Sequence, residues 1–151
     1  MPSSRVITGV GRAIPGATGV TLLARIRGAN GQLVTRASLA SLAYAAIDLT
    51  TGSILGSGSL AVSDVIFDSL VVGDYRWQID GPSAPGPDGS AGYNFLAVLP
   101  ASLFPVRTPA APDMLAGPAA GHDLQADVAF TPINGQSFRQ SWKWREAVVY
   151  G

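Results

Sequence analysis

The chain is 151 residues long, with ten basic and ten acidic residues, one histidine and no cysteine. This length fits a single domain that can bury roughly two thirds of its surface on folding. The zero net charge argues against a general nucleic-acid binder, since such a protein needs excess positive charge to neutralise phosphates. The lack of cysteine excludes disulfides, a thiolate nucleophile and a thiolate zinc site.

The low charge content is the most unusual feature of the composition. Charged residues make up only 13% of the chain, against about 25% in an ordinary soluble domain. Over roughly 7,200 Å² of folded surface this leaves about one ionised group per 360 Å². Much of the surface must therefore be apolar or neutral polar, which suits a protein that contacts other chains. A compositional bias toward Ala, Gly, Pro and Arg is the alternative explanation.

Residues 1–19 contain four glycines and two prolines around the apolar pair Val6 and Ile7. This composition resists helix formation and predicts an extended N-terminal arm, ordered only against a neighbour, before a single domain over 20–151. The sequence shows no export signal, and no apolar run approaches the ~20 residues that a membrane helix needs. We therefore expect a soluble protein made in a cytoplasm, with no membrane partner.

Alternating apolar and polar residues predict a strand over 20–27. The Asn30-Gly31 dipeptide then predicts a tight turn, with 32–35 returning as a short paired segment. The next stretch matches both helical and strand spacing, and the turn residues after it favour a strand at 42–48 that follows a helical turn at 38–41. A further strand is predicted to begin at 54–55, and others are predicted at 62–70, 75–79 and 93–99.

The last thirty residues carry the clearest pattern, because residues 124–130 and 138–144 alternate on either side of an Asn134-Gly135 turn. They predict a terminal β-hairpin. Two Pro/Gly/Ala-rich segments, 81–92 and 106–121, predict loops. Together the elements predict an all-β fold, an antiparallel immunoglobulin-like β-sandwich with an extended N-terminal arm and two long loops.

Groups that catalysis requires are scarce, with one histidine, one glutamate and nine aspartates. His122 and Asp123 are the only adjacent imidazole and carboxylate, and neighbouring strand residues point to opposite faces, so they cannot form the oriented pair of a hydrolytic triad. Asp64, Asp68 and Asp74 are too widely spaced for a calcium loop. We expect no catalytic residue, no metal and no cofactor; a hydrolase using His122 is the weakest alternative.

Trp142 and Trp144 are two residues apart on the last predicted strand, so their indoles share one face, with a lysine and an arginine on the other. They either cover the core or a subunit interface, which we favour, or form a platform that stacks on sugars together with Trp77 or Tyr93.

Three stretches, 20–34, 37–52 and 64–77 with 92–95, carry a likeness to a known group of proteins. Their shared residues occupy turn and core positions: Asn30-Gly31, Leu39, Leu42, Tyr44, Asp48, Thr51-Gly52 and Tyr93-Asn94-Phe95. In these residues the sequence resembles small Ig-like β-sandwich proteins of tailed bacteriophages, which include head or tail accessory proteins and baseplate modules. The resemblance implies a structural role in the virion, with no catalytic residues to carry over.

We therefore expect a non-enzymatic structural subunit of a tailed-phage-like virion, either a capsid decoration, a neck protein or a tail or baseplate accessory. It would bind other virion proteins and copies of itself by multivalent contacts, with the arm and loops adding a strand to an exposed sheet edge. The candidate partner-binding residues are Val6, Ile7, Ile14, Met114, Leu115, Trp142 and Trp144. The alternative function is a carbohydrate- or receptor-binding module that uses exposed Trp and Tyr side chains.

Overall fold

The computed structural model describes residues 5–6, 10–16, 19–28, 31–74, 76–77, 92–104 and 122–145. The strands within these ranges are β1 Arg5–Val6, β2 Val10–Pro15, β3 Gly19–Arg25, β4 Leu39–Asp48, β5 Ser53–Leu60, β6 Ile66–Val71, β7 Tyr93–Pro100, β8 Asp123–Pro132 and β9 Phe138–Arg145. The helical segments that it describes are short: a turn of α-helix, α1 Val62–Val65, and 3₁₀ turns at Arg36–Ser38 and Ala101–Leu103. The protein is all-β, as the sequence predicts.

The strands form two sheets that pack face to face. The first sheet has the order β1-β9-β8-β4-β5, and the second has the order β2-β3-β7-β6. Neighbouring strands are antiparallel, except that β1 pairs with the start of β9 in parallel. Without β1, these orders correspond to the G-F-C-C′ and A-B-E-D sheets of an immunoglobulin domain, so the predicted immunoglobulin-like sandwich is confirmed.

Alternate residues of the strands face inward and fill one core between the sheets. The buried side chains of this core include Leu22, Ala24, Ile26, Leu42, Ile66, Phe95, Ala97, Leu99, Ala126, Val128, Phe130, Phe138 and Trp142. Aromatic rings cross from one sheet to the other: Phe95 stacks on Trp142 with centroids 5.3 Å apart and meets Phe130 edge-on at 5.7 Å. The side chains of this core are apolar or aromatic, and their burial stabilises the sandwich without disulfides in a chain that has no cysteine.

Asn94 is the buried polar residue that fixes the chain after β3. Its side-chain oxygen accepts the N–H of Ile26 at 2.7 Å, and its amide nitrogen donates to the carbonyls of Ile26 and Val34. Between these residues, an Arg27–Leu33 bridge and Gly31, whose φ is 80°, close the turn. The expected short paired return of 32–35 is thus present as an antiparallel bridge, which the Asn94 side chain also holds.

Of the predicted extended arm, residues 5–6 and 10–15 are extended strands, and 10–15 are ordered against this chain's own β3 rather than a neighbour. β2 pairs with β3 along its whole length, from Val10 opposite Arg25 to Pro15 opposite Val20. Gly11 lies against the side chain of Trp142, where a Cβ would come within 2.6 Å of the indole nitrogen. Glycine therefore allows β2 to approach the core closely, and the sandwich begins before residue 20.

Two other expected strands are wrong at least in part. The predicted strand 62–70 begins with the helical turn α1, and β6 starts only at Ile66. Of the predicted strand 75–79, the structure describes Arg76 and Trp77, which lie in a turn closed by the Trp77 N–H donating to the carbonyl of Asp74 at 3.1 Å. The Asp74 side chain also accepts the Arg76 N–H, so it offers the backbone a local alternative to a strand ladder.

The helical turn expected at 38–41 begins two residues earlier, at Arg36–Ser38, and β4 is correspondingly longer than predicted. Ser38 explains the shift. Its hydroxyl accepts the N–H of Thr35 and donates to the Thr35 carbonyl, which closes the turn at Ser38 and lets the strand begin at Leu39.

Candidate assembly interface

The tryptophans chosen from the sequence do not form an exposed aromatic platform. Trp142 is 3% exposed, stacks on Phe95 and donates its indole N–H to the Leu23 carbonyl at 2.9 Å. Trp144 is half-buried and packs edge-on against Phe104. The other two candidates for stacking, Trp77 and Tyr93, are each 2% exposed. The buried faces of these rings leave little surface on which a sugar could stack.

The remaining candidate partner-binding residues are dispersed. Ile14 is half-buried and packs on the outer face of the second sheet, against a small cluster of Leu23, Trp77 and Tyr93. Val6 lies in β1, opposite Arg139 of β9. Ile7, Met114 and Leu115 lie outside the described residues, as do most of the segments 81–92 and 106–121.

His122 pairs with a residue that is distant in the sequence. Its Nδ1 lies 2.8 Å from Oδ2 of Asp48, whose carboxylate is 1% exposed and also accepts the N–H groups of Thr50 and Thr51. Burial raises the pKa of Asp48, but these hydrogen bonds outweigh it and hold the pKa below its usual value. The ionised carboxylate can only accept, so Nδ1 carries the proton.

The Asp48–His122 pair joins the turn after β4 to the start of β8. The Leu49 N–H donates to the Asp123 carbonyl at 2.8 Å, and the Asp123 N–H donates to the Thr50 hydroxyl at 2.9 Å. The carboxylate thus serves as the acceptor of a turn, which accounts for the pair without catalysis. The sequence offered no local signal for it, because the two residues are 74 positions apart.

A second polar cluster fastens the chain over the outer face of the second sheet. Asp74 pairs with Arg76 at 2.7 Å and accepts the hydroxyl of Tyr93. The hydrogen bond from Arg76 lowers the pKa of Asp74, and burial together with Asp74 raises the pKa of Tyr93 to about 12. The guanidinium of Arg76 and the hydroxyl of Tyr93 both donate to the Asp74 carboxylate, so the cluster connects the segment after β6 to the start of β7.

The outer edges of the second sheet carry features that oppose pairing with another chain. β2 contains Arg12 and ends at Pro15. On β6, Asp68 accepts the backbone N–H of Arg36 at 2.8 Å, and the Arg36 side chain donates to the Ile66 carbonyl at 2.7 Å. Charge, proline and a covering side chain are devices by which proteins protect sheet edges.

The two edges of the first sheet, at β1 and at β5, differ in the residues that they present. At one end, β1 covers the start of β9, and β9 presents the exposed cations Arg139, Lys143 and Arg145. At the other end, β5 is the outermost of the described strands, and its eight residues include no charge and no proline. No ionisable residue occurs between Asp48 and Asp64. Among the described edges, β5 is thus the one that lacks these protective residue types.

Two glycines of β5 leave room for large neighbouring side chains on its inner side. A Cβ on Gly56 would lie 2.5 Å from Cδ2 of Leu103, and one on Gly58 would lie 2.9 Å from Cε1 of Tyr44. The side chains of Leu103 and Tyr44 occupy the space that side chains at Gly56 and Gly58 would otherwise fill, on the inner side of β5. The ladder with β4 shifts where Gly56 pairs with Ala46 and Ile54 pairs with Ile47, so Leu55 forms a bulge and the regular ladder runs over 56–60.

The outer face of the first sheet, beside β5, carries mostly small and uncharged side chains. Ser57 and Ser59 are exposed opposite Ala45 and Ala43, and Ile54 is 75% exposed. Small side chains leave the backbone groups of an edge strand accessible to an added strand. The sequence predicts a strand that begins at 54–55 but not its place at an edge of the sheet; the uncharged run between Asp48 and Asp64 was the available signal.

A shallow groove of about 360 Å³ lies at one end of the sandwich, between the turns around Gly31 and Gly135. Its apolar floor includes Val34, Leu39 and Phe138, and its rim includes the polar residues Gln32, Ser38, Asn134 and Gln136. The lining contains no ionisable residue.

No family model matches the chain, and no curated protein or solved structure matches it. The likeness to phage proteins therefore rests on the residues quoted above. Within the described ranges, no helix is long and apolar enough to span a bilayer. The same part of the chain contains no group of three or more His, Asp or Glu residues placed to bind a metal ion.

Proposed function

We propose that the chain is a non-enzymatic structural subunit of a tailed-phage-like particle, a capsid decoration, neck protein or tail or baseplate accessory, which binds its neighbours by accepting a strand at β5. The observation that carries this proposal is the eight-residue uncharged edge of the first sheet, beside edges that carry charge, proline or a covering side chain. In strand addition, backbone hydrogen bonds supply the affinity and adjacent side chains supply the selectivity.

Repetition in a particle strengthens such a contact. One added strand is a small interface, below the roughly 1,200 Å² of a typical stable complex. When many copies are held in a symmetric array, each further contact forms at high effective concentration, so weak edges give a stable assembly. The low charge content of the chain favours this use, because few ions must be desolvated at each contact.

The polar clusters also support a role without catalysis. The Asp48 carboxylate closes a turn, and Asp74 is held between Arg76 and Tyr93. Both of these carboxylates are thus engaged in structural contacts.

The test is incorporation of variant chains into assembled particles in cells that express the remaining particle proteins. A Ser57→Lys/Ser59→Lys variant places two cations on the edge strand, where lysine opposes strand pairing. We expect this variant to fold and to be lost from purified particles. The matched control, Thr131→Lys/Ser137→Lys, adds the same charge at exposed positions outside β5 and should be incorporated normally. Normal incorporation of the β5 variant would contradict the proposal.

A second candidate, a carbohydrate- or receptor-binding module, is favoured by the groove between the Gly31 and Gly135 turns. An apolar floor with amide groups at its rim suits a neutral polyhydroxyl ligand. Glycan-array binding by the purified chain, lost in Asn134→Ala/Gln136→Ala and retained in Ser57→Lys/Ser59→Lys, would support this candidate. Absence of any glycan signal would leave the structural role as the better explanation.

A further inference from the structure

We infer that the strand accepted by β5 is the β5 strand of a second copy of this chain, paired antiparallel about a two-fold axis. This inference rests on the proposed function, because it names the neighbour that binds the same edge. It predicts a continuous sheet in which the five strands of one copy join the five of the other. A sheet of about ten strands is within the range that twisted sheets reach.

The charge pattern argues for a second copy rather than an unrelated strand. In an isologous pair, each residue near the axis faces a residue of its own segment, so any ionised side chain there meets its own sign. β5 avoids this repulsion, since no residue from Leu49 to Ser63 is ionisable. A segment selected for a charged partner would instead carry the complementary charge.

The side chains of the regular part of β5 also permit self-pairing. Residues 56–59 alternate glycine and serine, so two such segments can approach to strand spacing without a steric clash. On the inner side, Leu103 and Tyr44 already cover Gly56 and Gly58, and pairing leaves that cover in place. The bulge at Leu55 limits the regular ladder to 56–60, which places the axis near Gly58.

The neutral strand makes a charge-exchange experiment possible. Two variants, Ser57→Lys/Ser59→Lys and Ser57→Glu/Ser59→Glu, place like charges across the proposed axis, and each should sediment as a monomer where the wild-type chain self-associates. Mixed in equal amounts, the two variants should associate again, because each cation then faces an anion. The pair Thr131→Lys/Ser137→Lys is the control and should self-associate like the wild type.

The lack of cysteine allows a second measurement that detects weak pairing. Ser57→Cys mixed with Ser59→Cys, and the double variant Ser57→Cys/Ser59→Cys alone, should give disulfide-linked dimers on oxidation in solution. With the axis near Gly58, residue 57 of one copy lies directly opposite residue 59 of the other, within disulfide reach. Thr131→Cys is the control and should cross-link much more slowly. Folding of every variant is checked by circular dichroism, so that an unfolded variant is replaced by its neighbour in the series.

The outcomes separate this inference from the proposed function. A monomeric wild type, no recovery on mixing, or equal cross-linking at the edge and at Thr131 would overturn self-pairing. If these results occur while Ser57→Lys/Ser59→Lys is still lost from particles, a different chain donates the strand and the structural role stands. If that variant is incorporated normally, both proposals fail.

Discussion

Replacing Gly11 by alanine tests whether β2 belongs to the sandwich or is an appendage. In the structure, a Cβ at this position would lie 2.6 Å from the indole nitrogen of Trp142 and 3.1 Å from Nε2 of Gln140. The indole cannot move aside freely, because it is buried, stacks on Phe95 and donates to the Leu23 carbonyl. The added methyl group therefore forces either β2 or the indole out of place.

The expected cost follows from two opposing effects. Overpacking a well-packed core costs about 1–3 kcal/mol. Gly11 is not among the glycines with positive φ, so alanine fits the backbone and recovers about 0.4–1 kcal/mol by restricting the unfolded chain. We expect a net loss of about 1–2 kcal/mol in the free energy of unfolding, and a fall in Tm of roughly 2–8 °C.

Urea unfolding followed by tryptophan fluorescence, together with calorimetry, measures this loss. Gly16→Ala is the matched control, since a Cβ there would lie at an ordinary 3.4 Å from the Gly19 carbonyl oxygen, and it should be neutral or stabilising by up to about 1 kcal/mol. In a Trp142→Phe background, the penalty of Gly11→Ala should shrink by at least about 0.5 kcal/mol, because the clashing atom is gone. A neutral or stabilising Gly11→Ala would refute the packing of β2 against Trp142.

Two further predictions concern the polar groups. Asn94→Leu leaves the Ile26 N–H and the Val34 carbonyl without their side-chain partner, while the Ile26 carbonyl still accepts the Val34 N–H. At about 1–3 kcal/mol per unpaired group, the free energy of unfolding should fall by several kcal/mol, measured by urea unfolding. Asp74 has a lowered pKa in the folded state, so its contribution to stability is present above about pH 4 and is lost as the pH falls further. Asp74→Asn should therefore weaken the acid dependence of the Tm, and an unchanged dependence would contradict this.

The elements that the sequence predicted well are those whose burial pattern is local. The β8–β9 hairpin shows strict alternation along Leu124 to Phe130 and a turn dipeptide before Phe138, and both strands form as expected. The ambiguous stretch before Asp48 was decided by the turn residues after it, and it is a strand. In both cases, the side chains that define the core also define the local period.

The elements that the sequence missed depend on distant contacts. The turn at Trp77 forms because Asp74 is held by Arg76 and by Tyr93, which is 19 residues from Asp74 along the chain. The strand β2 was hidden because its glycine and proline suit an arm, and only the indole of Trp142 gives Gly11 a packing role. The local spacing of apolar residues gives no information about either of these distant contacts.

The edge position of β5, on which the proposed function depends, likewise could not be predicted from local sequence. Whether a strand lies at an edge is set by the order of strands in the sheet, which no local pattern specifies. The sequence nevertheless carries a trace of the edge position. A sheet edge that pairs with another strand lacks the charges and prolines that protect other edges. Once β5 is placed at the edge of the first sheet, the uncharged run from Leu49 to Ser63 is seen to be the part of this charge-poor chain that forms the open edge. If the proposed pairing occurs, an added cation there should disturb assembly far more than the same cation elsewhere on the exposed surface, because only at β5 would it oppose strand addition.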